Sequence, residues 1–238
     1  MNGRTHVLIG GSLVPIITFG TGMPLSECAV LAVVSAGFSL GPDIDHPEST
    51  VSRSLGKSTH LVFHAMSTAA RTVLSSRYDR VRFEAAKFRG IDPSHRSLTH
   101  TLVFTAAMGG FAYLMAHHRI SLAILAALSV LVCRRLVARR WQQGFLLGGG
   151  LAMVAASLSM PITAEHIALA AMGGWLSHVI ADACTTGGVP LLWPLKYKGR
   201  YWWRLRILGG WLESGEPKEY VAAIGVVAAM TIPYLLMS

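Results

Sequence analysis

Apolar runs dominate this chain, and the polar residues fall between the runs rather than alternating within them. Seven runs stand out, at about residues 5–20, 24–41, 97–116, 120–137, 144–161, 164–183 and 219–237. Their lengths predict helices, several of them near the roughly 17 residues that mark the short end of what spans a hydrocarbon core about 30 Å thick. The expected architecture is all-α, a polytopic membrane helix bundle of about seven apolar segments forming a single domain over residues 1–238. Thr21-Gly22-Met23-Pro24 reads as the turn of a hairpin joining the first two runs.

The connections set an orientation. Basic residues from Arg53 to Arg96 fill the connection between runs two and three, Arg134, Arg135, Arg139 and Arg140 the one between four and five, and Lys196 to Lys218 the one between six and seven. Of the alternate connections, only the one at 117–119 carries a basic residue, Arg119. Lys and Arg collect on the cytoplasmic side of membrane proteins, which predicts a cytoplasmic N-terminus and an external C-terminus.

Two connections are more than linkers. Residues 47–94 form a long cytoplasmic insert, and within 60–89 the apolar Val62, Met66, Val73 and Leu74 recur near helical spacing among basic residues. That pattern suits helices lying on the inner leaflet, or a soluble helical hairpin packed beneath the bundle. Residues 190–213 mix Trp193, Tyr197, Tyr201, Trp202, Trp203 and Trp211 with Lys and Arg, the composition of a headgroup-level belt.

Composition agrees with a membrane setting. Hydrophobic residues make up 52% of the chain and charged residues 14%, against about 25% charged in soluble domains; mean hydropathy is +0.47. No cleavable signal peptide is evident. Cys28, Cys133 and Cys184 are odd in number, widely spaced and set in or beside apolar runs, which argues for packing rather than disulfides. The net charge of +9 comes without any nucleic-acid-binding motif, so its expected partners are anionic membrane lipids and not nucleic acid.

Ionisable residues crowd one end of the predicted bundle. "SLGPDIDHPES" puts Asp43, Asp45 and His46 just past run two, between Pro42 and Pro47, which restrict the backbone around them. "SHRSLTH" puts His95 and His100 at the start of run three, with His100 expected one turn into a helix opened near Pro93, Ser94 or Ser97. His178 and Asp182 end run six, and His6 begins run one. The topology came from Lys and Arg alone, so this convergence is a separate observation.

Spaced four apart on a helix, His178 and Asp182 share a face. They suit a divalent metal, zinc first, or a hydrogen bond stapling two helices. Asp43 and Asp45 could ligate through oxygen and His46 through nitrogen, or cap a turn. His60 and His64 form a rival i, i+4 pair without a nearby carboxylate, and His117, His118 and His166 fall at the opposite membrane face.

"GPDIDHPES", "HRSLTHT" and "SHVIADACTTGGVPLLWP", with Thr5-His6 ahead of them, resemble the YdjM family of bacterial inner-membrane proteins, described as membrane-bound metal-dependent hydrolases. Its pattern joins PDIDHP, HRG-x-TH and SH-xxx-D with a T-x-x-G-x-x-LLWP tail. The family is further thought to be distantly similar to zinc-dependent phospholipase C and S1/P1 nuclease. The resemblance implies ligands among Asp43, Asp45, His46, His100, His178, Asp182 and His6, with Asp45 alternatively activating water. Ser97 departs from the pattern's glycine, and the insert lies outside it.

The leading expectation is a metal-dependent hydrolase at the cytoplasmic face, holding one or two zinc ions, or manganese, and acting on a phosphoester such as a phospholipid headgroup. His95 could protonate the leaving group, and Arg53 and Arg96 could hold phosphate. The other class is a non-enzymatic membrane protein with a structural or sensing metal, or a metal transporter. A transporter would place its ligands near mid-membrane.

Overall fold

The structure is a computed structural model. It describes residues 2–18, 21–56, 96–213 and 215–237, and between these residues 59, 61, 65, 66, 68, 69, 72, 73 and 75–88. The elements among the described residues are helices. Among the described residues there is no β-strand, only isolated bridges such as Val189–Leu205.

Run one becomes α1 (Gly3–Ser12) and α2 (Val14–Ile17), split where Pro15 lacks an N–H to continue the first helix. Run two is α3 (Leu25–Phe38), leading into a 3₁₀ turn, Gly41–Asp45. The insert contributes α4 (Thr50–Leu55) and α5 (Arg77–Phe88). Then follow α6 (Leu102–Ala116), α7 (Arg119–Cys133), α8 (Gly150–Ser159), α9 (Ala164–Ala183) and α10 (Pro217–Met237). A π-helical turn at Phe145–Gly149 feeds α8.

Each run is thus a helical region, yet only Leu25–Asp45 is long and apolar enough to cross a membrane by itself among the described residues. The described residues thus confirm one of the seven expected spans. α6 and α7 have 15 residues each, about 22 Å at 1.5 Å per residue, short of a core about 30 Å thick.

α9 is the central helix, packed against α1, α3 and α6. Its approach to α3 is very close: a Cβ on Gly174 would fall 2.1 Å from the Ser35 carbonyl oxygen, so only glycine fits there. One turn further along both helices, the same approach brings the Ser39 carbonyl against His178. The main apolar core, with Leu31, Val34, Leu122, Ala126 and Ile167, fills the space between α3, α7 and α9.

Two long-range connections complete the frame. Glu219 on α10 is fully buried and accepts hydrogen bonds from the Asn2 amide, the Thr5 hydroxyl and the Gly215 amide, fixing the start of α1. The insert docks on the aromatic loop: Trp202 donates to Ser75, the Tyr201 amide donates to Asp79, and Arg200 lies 4.0 Å from the Tyr78 ring centroid. The two stretches expected at the membrane surface therefore pack on each other.

Candidate metal centre

Four side chains from three parts of the chain meet: Asp43 beyond α3, His100 before α6, and His178 and Asp182 on α9. His178 Nε2 lies 3.4 Å from Asp43 Oδ1 and 3.7 Å from Asp182 Oδ2. His100 Nε2 lies 3.8 Å and 3.5 Å from the same two oxygens. Both imidazoles and Asp182 are buried, while Asp43 is partly open.

The far side of each imidazole is held. His178 Nδ1 is 2.7 Å from the Ser39 carbonyl oxygen. A carbonyl only accepts, so Nδ1 carries a proton and Nε2 faces the carboxylates. His100 Nδ1 is 2.9 Å from Thr99 Oγ1, which in turn is 2.8 Å from Asp45 Oδ2. With the hydroxyl donating to Asp45 and accepting from Nδ1–H, His100 Nε2 faces the cluster too.

This donor set fits a divalent cation. Separations of 3.4–3.8 Å exceed the 2.7–3.2 Å or so of an N–H···O bond. They approach the edge of about 3.3 Å implied by tetrahedral zinc with bonds near 2.0–2.1 Å. His178 Nε2 is buried and makes no hydrogen bond, so a cation would satisfy it.

Other predicted residues take different places. His6 stacks on His178, with Nε2 3.6 Å from Asp182 Oδ1, the carboxylate oxygen not shared with the cluster. Asp45 stands behind His100, bonded to Thr99. His46 is outside the four, its Nδ1 accepting from the Glu48 amide. Arg53 is exposed and pairs with Glu48 at 2.5 Å. Arg96 reaches the centre, with Nε 2.8 Å from Asp182 Oδ2 and Nη1 donating to Thr185 at 2.7 Å. His60, His64 and His95 lie outside the described residues.

His100 is not helix-borne as expected. Arg96 adopts φ 57°, in the left-handed region, and Leu98–His100 forms a 3₁₀ turn. Thr101 then caps α6 by accepting from the Phe104 amide. Two functional side chains escaped the sequence reading, Thr99 and Trp175, whose Nε1 donates to the Thr99 carbonyl at 2.8 Å. The threonine beside His100 in "LTH" was the available signal for the first; nothing marked the second.

No curated protein and no solved structure matches the chain. The YdjM inner membrane protein family model matches residues 1–237. With that match over nearly its whole length, the chain belongs to the YdjM inner membrane protein family.

Proposed function

We propose that the protein is a membrane-bound metal-dependent hydrolase that acts on phosphoesters at the cytoplasmic face. The observation that carries this reading is the buried Asp43–His100–His178–Asp182 cluster with Arg96 beside it. A divalent cation held there would supply Lewis acidity toward a phosphoryl oxygen and toward water. Arg96 would orient the phosphate and Thr185 hold its guanidinium in place. Asp45 and Thr99 would keep His100 in its ligating tautomer. Multi-pass topology with a cytoplasmic N-terminus follows from the basic connections.

A second reading has its own support. Four protein donors are also what a closed structural zinc site uses. The partly open Asp43 and the Arg96 guanidinium beside the cluster favour catalysis. Elemental analysis of detergent-purified protein, followed by hydrolysis assays on phosphoester and phospholipid panels, tests both. Bound metal with turnover that is lost in Asp182→Ala supports the hydrolase. Bound metal without turnover on any panel member supports the structural site, and no metal after incubation with zinc or manganese ends both readings.

A further inference from the structure

Three arginines meet at one glycine pair just past the metal centre. α9 ends at Ala183, and the Thr185 hydroxyl and amide both donate back to the Asp182 carbonyl, at 2.7 Å and 3.1 Å. That turn leads into Gly187 and Gly188. A Cβ on Gly187 would fall 2.7 Å from Nη1 of Arg96, the arginine whose Nε reaches Asp182 Oδ2. The Gly187 carbonyl accepts from Arg204 Nη1 at 3.3 Å. At Gly188, with φ 59°, a Cβ would fall 2.9 Å from Arg206 Cγ. Along the bonds of Gly187, the Nη1 atoms of Arg96 and Arg204 are at most about 10 Å apart.

The other cations of this loop are placed differently. Residues 183–212 contain five basic residues and no acidic one. Lys196, Lys198 and Arg200 lie over the rings of Tyr201, Tyr197 and Tyr78, at 5.4, 5.3 and 4.0 Å. Arg204 and Arg206 instead turn to the glycine pair, held there by the Val189–Leu205 bridge, with hydrogen bonds of 3.1 Å and 2.8 Å. Guanidinium groups this close repel one another, and an anion bound among them relieves the repulsion. Their planar forks match phosphate oxygens. One phosphate at the cluster has Arg96 as its partner; two further guanidiniums suit a second. We propose that Arg204 and Arg206 hold the second phosphate of a diphosphate ester whose terminal phosphate lies at the metal centre against Arg96. This rests on the hydrolase reading and narrows its substrate from phosphoesters in general to diphosphate esters. Cleavage by water of the P–O bond between the two phosphorus atoms gives a phosphomonoester, inorganic phosphate and one proton. The electron pair of that bond goes to the oxygen on the Arg204–Arg206 side.

The test compares binding of methylenediphosphonate and methylphosphonate to detergent-purified protein at buffered free zinc. Wild type should bind the diphosphonate at least about tenfold more tightly, the ratio that one more charge-assisted hydrogen bond gives. Arg204→Gln with Arg206→Gln should bring the ratio close to one while zinc content and methylphosphonate affinity hold. Lys196→Gln with Lys198→Gln removes the same charge from the same loop and should keep the ratio. Equal affinity for both probes in wild type, or the same loss of ratio in both paired variants, overturns the proposal. Should the arginine pair fail to fold, the exposed Arg206→Gln alone must lower the ratio, and an unchanged ratio overturns the proposal as well. Turnover of phosphomonoesters without diphosphonate preference removes the second-phosphate site alone. The preference in protein that hydrolyses no phosphoester keeps the site and removes the hydrolase. Dodecyl and ethyl diphosphate in the same titration then tell a lipid source from a soluble one.

Discussion

The imidazoles of His6 and His178 lie face to face, with centroids 3.6 Å apart and planes 12° from parallel. Two neutral rings pack well this way, and two imidazolium ions repel. Each ligating nitrogen must also be free of protons to bind metal. Apparent zinc affinity should therefore fall at least about tenfold between about pH 7 and about pH 5. Competition titrations with a chelating dye check this; an affinity independent of pH would exclude imidazole ligation.

Thr99 joins Asp45 to His100 through one hydroxyl. Thr99→Val removes that link and leaves the four donors in place. Groups that orient a ligand in this way are worth about 10–100-fold in metal affinity. A loss in that range is expected, with Thr99→Ser retaining most of the affinity. Equal affinity in wild type and valine variant would show that the hydroxyl does not set the tautomer.

Gly174 lets α9 touch α3. Gly174→Ala places a methyl group against the Ser35 carbonyl, which is backbone and cannot rotate away. Overpacking of this kind costs about 1–3 kcal/mol. The variant should unfold earlier in detergent and bind metal more weakly, because Ser39 leaves His178. Gly225 has open space around it, so Gly225→Ala serves as the matched control.

Glu219 gathers three hydrogen bonds in a buried setting, one of them from the residue preceding His6. Hydrogen bonds to charged groups contribute about 1.5–3 kcal/mol each. Glu219→Ala should lower thermal stability by an amount on that order, and Glu219→Gln by less. If His6 matters to the centre, the alanine variant also loses metal affinity; unchanged affinity would place His6 outside it.

The positions of the runs and the cluster of ligands could be read from the chain because both depend on local pattern. His178 and Asp182 share a helical face by spacing alone, and "GPDID" closes the one stretch among the described residues that is both long and apolar enough to span. Other features depend on how helices approach one another. The choice between Asp43, which meets the cluster, and Asp45, which supports His100, follows from which side of the 3₁₀ turn faces α9. Proline and glycine positions did not forecast the 3₁₀ turn at His100, because the φ of 57° falls on Arg96, a residue that seldom adopts it. Runs one and five are divided, at Pro15 and at the π turn Phe145–Gly149, and an apolar run does not tell where such breaks fall.

The Glu219–Asn2 hydrogen bond joins positions 217 residues apart. Viewed along the time axis of synthesis, the opening helix emerges long before its clamp exists. At about 5–20 residues per second the interval is roughly 10–40 s. During that interval the first helix must wait in the membrane or with a helper protein, its histidine not yet clamped in place. The seating of α1 is therefore among the last steps to mature, and a chain ended before α10 would hold all four residues of the cluster but not the clamp on the start of α1.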